Sequence, residues 1–153
     1  MPGKSFATEL GETAFPLVPT QTYQQLKAAL GDKLKSLYAF VGSPVPAADK
    51  SEHGDIGLVV CEPRGEVTSD QIQKALGAKL KVAQEGTRLS SYAVPTSNGG
   101  KYIQVNVQVC DNKDEWDAAL LVHSYGDMGL IMGLLARAYG LSFGQKGLKV
   151  IDA

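Results

Sequence analysis

The clearest pattern in the chain is the run Tyr102 to Cys110 (YIQVNVQVC), in which polar and apolar side chains alternate almost without a break. A strand repeats every two residues, so Ile103, Val105, Val107 and Val109 are predicted to face a core, while Tyr102, Gln104, Asn106 and Gln108 share the opposite face. Such a polar face implies open solvent or a site built on a sheet, with Asn106 at its middle. Asp55 to Cys61 (DIGLVVC) is a second strand, whose geometry sends Ile56, Leu58 and Val60 inward and Asp55, Gly57, Val59 and Cys61 to the other side. Shorter strands are expected at Ser36 to Val41, closed by Gly42, at Ser90 to Val94 and at Gly147 to Ile151.

Helical spacing replaces alternation elsewhere. Tyr23, Leu26, Leu30 and Leu34 recur at that spacing between Thr20 and Lys35, with Thr20 or Thr22 as the capping residue. Ser69 is expected to cap a short helix that turns Ile72 and Leu76 inward and stops at Gly77. Asp114 to Val122 and Met128 to Tyr139 read as two further helices, the second capped by Asp127 and ended by Gly140. Their apolar residues Trp116, Leu120, Leu121, Leu130, Met132, Leu134 and Leu135 are expected in the core. Ser43 to Gly54 reads as a polar loop, Pro95 to Gly100 as a turn, and Ala78 to Arg88 has no decisive period. Residues 1–19 read as a tail or arm laid over a domain that occupies residues 20–153. Irregular alternation of strands and helices predicts an α/β (α+β) fold, a mixed sheet with helices packed mainly on one face.

A chain of 153 residues is long enough to bury one core without disulfide or metal staples. Fifteen Lys and Arg oppose sixteen Asp and Glu, so no positive field spans the molecule and tight nonspecific nucleic-acid binding is not expected. Lys74, Lys79, Lys81 and Arg88 read as a solvated face. Cys61 and Cys110 lie in apolar runs, away from metal-ligand spacing, and are expected as buried free thiols. The chain begins Met1-Pro2-Gly3-Lys4 with no apolar signal core, and no stretch reaches the roughly 18 apolar residues that span a bilayer. A cytoplasmic or nuclear protein with no membrane partner is the expectation. His53 reads as an exposed loop residue, and neither a P-loop string nor a dinucleotide-binding glycine fingerprint occurs.

The order is helix, strand, Gly42-Ser43, loop, a strand opening on Gly54-Asp55-Ile56, then a later strand with Asn106 at its centre. This order resembles the palm of the DNA polymerase β-like nucleotidyltransferases. The stretches EHGDIGLVVCEP, YIQVNVQVC, HSYGD and GLSFGQKGLKV are similar to a fungal nucleotidyltransferase-like family, and the resemblance covers roughly residues 20 to 150. In that superfamily a Gly-Ser turn grips a nucleoside triphosphate, the next strand carries two carboxylates one residue apart, and a neighbouring strand supplies a third. Together they hold a pair of divalent cations.

The resemblance makes Gly42 and Ser43 the nucleotide-binding turn and Asp55 the remaining catalytic carboxylate and metal ligand. Gly57 stands at the second carboxylate position and Asn106 at the third. Glycine offers no ligand and asparagine is neutral. It therefore implies a catalytically impaired domain, a pseudoenzyme acting as a binding or interaction module, with no cofactor, or with Mg2+ where nucleoside triphosphate binding survives. A rival expectation is an active nucleotidyltransferase that moves a nucleotide monophosphate to RNA, protein or a small molecule, with Asp49, Glu52 or Glu62 near enough in sequence to supply a ligand. A third is a module that uses the helical surface after Asp114 for a protein partner or a homodimer.

Overall fold

The computed structural model describes residues 6–83, 88–97, 99–124, 128–144 and 147–150. In chain order the elements are α1 (Ala7–Leu10), β1 (Val18–Pro19), α2 (Thr20–Leu34), β2 (Tyr38–Gly42), β3 (Glu52–His53), β4 (Asp55–Pro63) and α3 (Ser69–Leu76). There follow β5 (Leu80–Ala83), β6 (Leu89–Pro95), β7 (Tyr102–Cys110), α4 (Lys113–His123), α5 (Met128–Ala138), β8 (Leu141–Gly144) and β9 (Gly147–Val150). No single helix among the described residues is long and apolar enough to cross a membrane.

The two longest strands lie at the centre because each offers one continuous apolar face. β4 and β7 pair in parallel, from Asp55 opposite Gln104 to Cys61 opposite Cys110. The remaining strands join antiparallel in the order β2-β4-β7-β6-β5, giving the mixed sheet that the sequence predicts. Ile56, Leu58, Val60, Ile103, Val105 and Val107 all point to one side, where Tyr23, Leu30 and Leu34 of α2 and Ile72 and Leu76 of α3 cover them. Val109 belongs to that face but is only partly buried.

The second face of the sheet is covered at its two ends and left open between them. At one end the N-terminal arm lays Phe6, Ala14 and Phe15 on Ala93, with Tyr102 beside them. At the other end α4 sits on Val59, Cys61 and Cys110 through Ala119, Trp116 and Leu120. The strip between these covers carries Asp55, Gly57, Ser91, Gln104 and Asn106, of which Asp55 is exposed and the others are partly exposed.

Several local expectations shift. α2 starts after Pro19 with no side-chain cap, and the Thr20 hydroxyl donates instead to the Lys50 carbonyl. Thr68 rather than Ser69 caps α3, because its extended backbone lets the hydroxyl accept from Gln71 N while Gln71 reaches back to Thr68 N. Asn112 caps α4 by accepting from Glu115 N. The unassigned stretch after Ala78 contains β5, held antiparallel to β6. β9 pairs with β8 as a separate hairpin, outside the five-stranded sheet. The expected cap at Asp127 lies outside the described residues.

The core assignment of α5 is overturned: Leu130, Leu134 and Leu135 are 66%, 61% and 59% exposed, and Leu121 of α4 is 43% exposed. The reason is the side α5 presents inward. Gly129 is the buried residue of the helix, and a Cβ there would come within 1.9 Å of the Val122 carbonyl oxygen. The helix therefore docks by its small residues and turns its large ones out.

Gly42 has a packing role that spacing alone did not reveal. A Cβ at this position would meet Trp116 Cζ2 at 2.8 Å and Leu120 Cδ1 at 3.0 Å. The indole is fixed in place, since Trp116 Nε1 donates to the Val59 carbonyl at 2.8 Å. Gly42→Ala should therefore lower stability by about 1–3 kcal/mol in urea unfolding, the usual cost of overpacking. An unchanged midpoint would show that α4 does not press on β2.

The thiols of Cys61 and Cys110 are both buried and free, in register across the β4–β7 pair. Burial pushes both up, Cys110 to about 11 with Glu115 adding to the effect. Iodoacetamide at pH 8 should leave the native protein unmodified and label both cysteines once urea unfolds it. Rapid labelling of either thiol in the native state would mean that α4 lifts readily from the sheet.

Candidate functional site

The floor of the open strip follows from strand register. Gly57 of β4 lies opposite Asn106 of β7, and Ser91 of β6 lies opposite Asn106 on its other side. Asn106 Nδ2 donates to Asp55 Oδ2 at 3.0 Å. Its Oδ1 accepts from Ser91 Oγ at 2.7 Å and from Gln104 Nε2 at 2.9 Å. An ionised carboxylate only accepts, so Asp55 dictates which way the amide points, and both ends of Asn106 are thereby engaged.

The wall comes from the segment after β2. Ser43 Oγ donates to the Gly57 carbonyl at 2.6 Å. This fastens the Gly42-Ser43 turn to β4. Burial raises the Tyr23 phenol, with Ser43 acting against that and Asp55 adding to it. Farther along, Val45 N donates to Ser124 Oγ at 2.9 Å, and Ser124 Oγ donates on to the Leu120 carbonyl. The end of α4 thus holds the loop over the strip.

His53, expected in an exposed loop, is 2% exposed. The correction has a structural cause: β3 pairs with β1, Val18 opposite His53, and this carries the imidazole under Tyr23. The two rings stack with centroids 3.9 Å apart and planes 9° from parallel. Thr20 Oγ1 lies 3.1 Å from His53 Nε2 and 3.1 Å from the Lys50 carbonyl oxygen, so the hydroxyl ties the imidazole to the loop before β3. Tyr23 and His123 join the site only through folding. Lys50 and His53 are near Asp55 in the chain, and the pairing of β3 with β1 buries the imidazole there.

These residues, with Ser43, Pro44, Asp55 and Gly57, line a hollow of about 230 Å³. A second hollow of about 220 Å³ adjoins it at Ser43 and carries Lys27, Lys35 and Asp32. Each alone falls below the roughly 300–1,000 Å³ of pockets for drug-sized ligands. A Cβ on Gly57 would meet only Pro44 Cδ, at 3.8 Å, so the floor has room for a side chain there.

The donor set does not fit a pair of magnesium ions. Mg2+ wants six oxygens in near-octahedral array, drawn from one or two carboxylates, waters and substrate phosphates, and a pair of ions calls for more than one carboxylate. Asp55 is the one carboxylate lining the hollow, and the Asn106 oxygen already accepts two hydrogen bonds. Asp49, Glu52 and Glu62 are exposed and line neither hollow. Among the described residues no group of three His, Cys, Asp or Glu side chains is placed to hold a metal ion.

His53 also sets a pH dependence. Burial holds its imidazole below the ordinary value of 6.5, with Lys50 and Lys27 acting in the same direction and Asp55 against it. The unfolded chain therefore takes up this proton first, so stability is full above about pH 6.5 and falls as pH drops toward the folded-state value. His53→Gln should flatten the loss of urea stability between about pH 7 and pH 5. An acid limb identical in the two proteins would show that His53 does not control it.

Compared with protein-family models and with curated proteins, the chain matches none.

Proposed function

We propose that this chain is a nucleotidyltransferase-like domain without two-metal transfer chemistry, acting as a binding module for the phosphate portion of a nucleotide. The observation that carries the reading is the hydrogen bond from Asn106 to Asp55, made beside Gly57 on the open strip of the sheet. In the palm that the sequence resembles, these three positions are carboxylates. Here one anion remains, and a neutral amide occupies its lone pair where a cation would otherwise be needed.

Binding without transfer is supported by the charges around the turn. Lys50 lines one hollow and Lys27 and Lys35 the other, with Ser43 common to both. Their ammonium groups outnumber Asp55 and Asp32, which suits a phosphate ligand better than a cation. The small volume limits recognition to part of the ligand and leaves a base outside the hollows.

Calorimetric titration with ATP, GTP, CTP and UTP, each with Mg2+ and with EDTA, tests this. Binding should be equal in both conditions and should weaken about tenfold, roughly 1.4 kcal/mol, in Lys50→Ala. Gly57→Asp combined with Asn106→Asp should make affinity depend on Mg2+. Metal-dependent incorporation of labelled nucleotide, abolished by Asp55→Ala, would overturn the reading in favour of an active transferase. No binding of any triphosphate would overturn the binding role.

A further inference from the structure

Helix α5 is built the opposite way round from an ordinary surface helix. Gly129, Met132, Gly133 and Ala136 turn toward the body of the protein, buried or partly buried. Leu130, Ile131, Leu134 and Leu135 turn away, each more than half exposed. At about 100° per residue these four fall in one arc of roughly 140°, a continuous stripe of large apolar side chains. A helix apolar on every side is normally covered on every side.

The hairpin beside it continues the apolar surface. The β8–β9 register sets Leu141 opposite Val150 and Phe143 opposite Leu148, so all four share one face, while Ser142 and Lys149 share the other. Leu148 and Val150 are 60% and 78% exposed. An isolated two-stranded hairpin is marginal in water, so this one gains from being covered. Between α5 and β8 lies a recess of about 250 Å³, lined in part by Gly133, Leu134, Arg137 and Phe143.

The surface has the size and the shape for a second copy of the chain. Burying one leucine-sized side chain removes roughly 60–120 Å² of apolar area. The exposed fractions of the α5 stripe, Leu148, Val150 and Tyr139 then amount to roughly 280–550 Å² per copy, the size of the largest patch on a typical monomer. Two such faces together remove roughly 550–1,100 Å², whose upper end reaches the threshold for a specific interface. Projecting leucines and a recess lie on the same patch, the self-complementarity that an isologous pair requires.

Charge argues against other occupants. Among the described residues of α5 and the hairpin only Arg137 and Lys149 are charged, so the face is overwhelmingly apolar and offers little to steer a charged partner. A helix lying on a membrane surface needs a basic, water-facing side, and the corresponding side of α5 is turned to the protein.

We propose that α5 and the β8–β9 hairpin form the isologous interface of a homodimer. Sedimentation equilibrium of the full chain should give twice the monomer mass of 16.2 kDa. Leu134→Glu and Ile131→Glu should each halve that mass while leaving the far-ultraviolet circular dichroism unchanged. Leu17→Glu, at a residue exposed elsewhere on the molecule, should leave the dimer intact. A wild-type monomer at the highest soluble concentration overturns the proposal, as does a dimer that both α5 variants leave unaltered. Co-flotation of monomeric wild type with neutral phosphatidylcholine vesicles overturns it in favour of a lipid surface. Two independent α5 variants keep the test decisive if one fails to fold.

Discussion

The parallel pairing of β4 with β7 is the constraint that the rest of the molecule inherits. Seven consecutive residue pairs fix its register, and each pair assigns one side chain to the core and the next to the opposite face. A slip of one residue would bring Gly57, Val59 and Cys61 under α2 and α3 and expel Ile56, Leu58 and Val60. The apolar cost of that exchange is what aligns Gly57 with Asn106 and Cys61 with Cys110. The geometry of the site is thus a by-product of the packing on the far side of the same two strands.

On the near face the covers are discontinuous, and that creates the site. The arm requires aromatic residues at one end and α4 requires Trp116 at the other, so the strip between them stays polar and accessible. Within it, an acid at position 106 would place a second negative charge about as close to Asp55 as the present amide, and would need a cation to be tolerated. Asparagine puts a hydrogen bond to Asp55 where that repulsion would stand. Ser43 makes a similar exchange, since its hydroxyl proton is spent on the Gly57 carbonyl and helps hold the turn on the sheet.

Much of the architecture was legible because period two and burial coincide in long strands. YIQVNVQVC and DIGLVVC each carry enough alternation to specify which face is inside, and β7 has the bounds read from its sequence. Helix caps were legible only to within a residue, since Thr68 and Ser69 are equally good caps in composition and only backbone angles choose between them. The apolar helix α5 was misread because composition reports a need for cover without saying what supplies it. His53 was misread because its burial comes from the pairing of β3 with β1, two short strands more than thirty residues apart in sequence.

The sequence by itself determined a mixed sheet, its inner face, the lone acid at Asp55 and the neutral residues at positions 57 and 106, because those follow from residue identity and local periodicity. Tertiary structure alone decided that Asn106 bonds to Asp55, that Tyr23 and His123 gather around them, that His53 is buried, and that α5 turns its leucines outward. Each of these depends on which distant segments meet, and long-range contact is set by the closing of the whole core rather than by any repeating pattern along the chain.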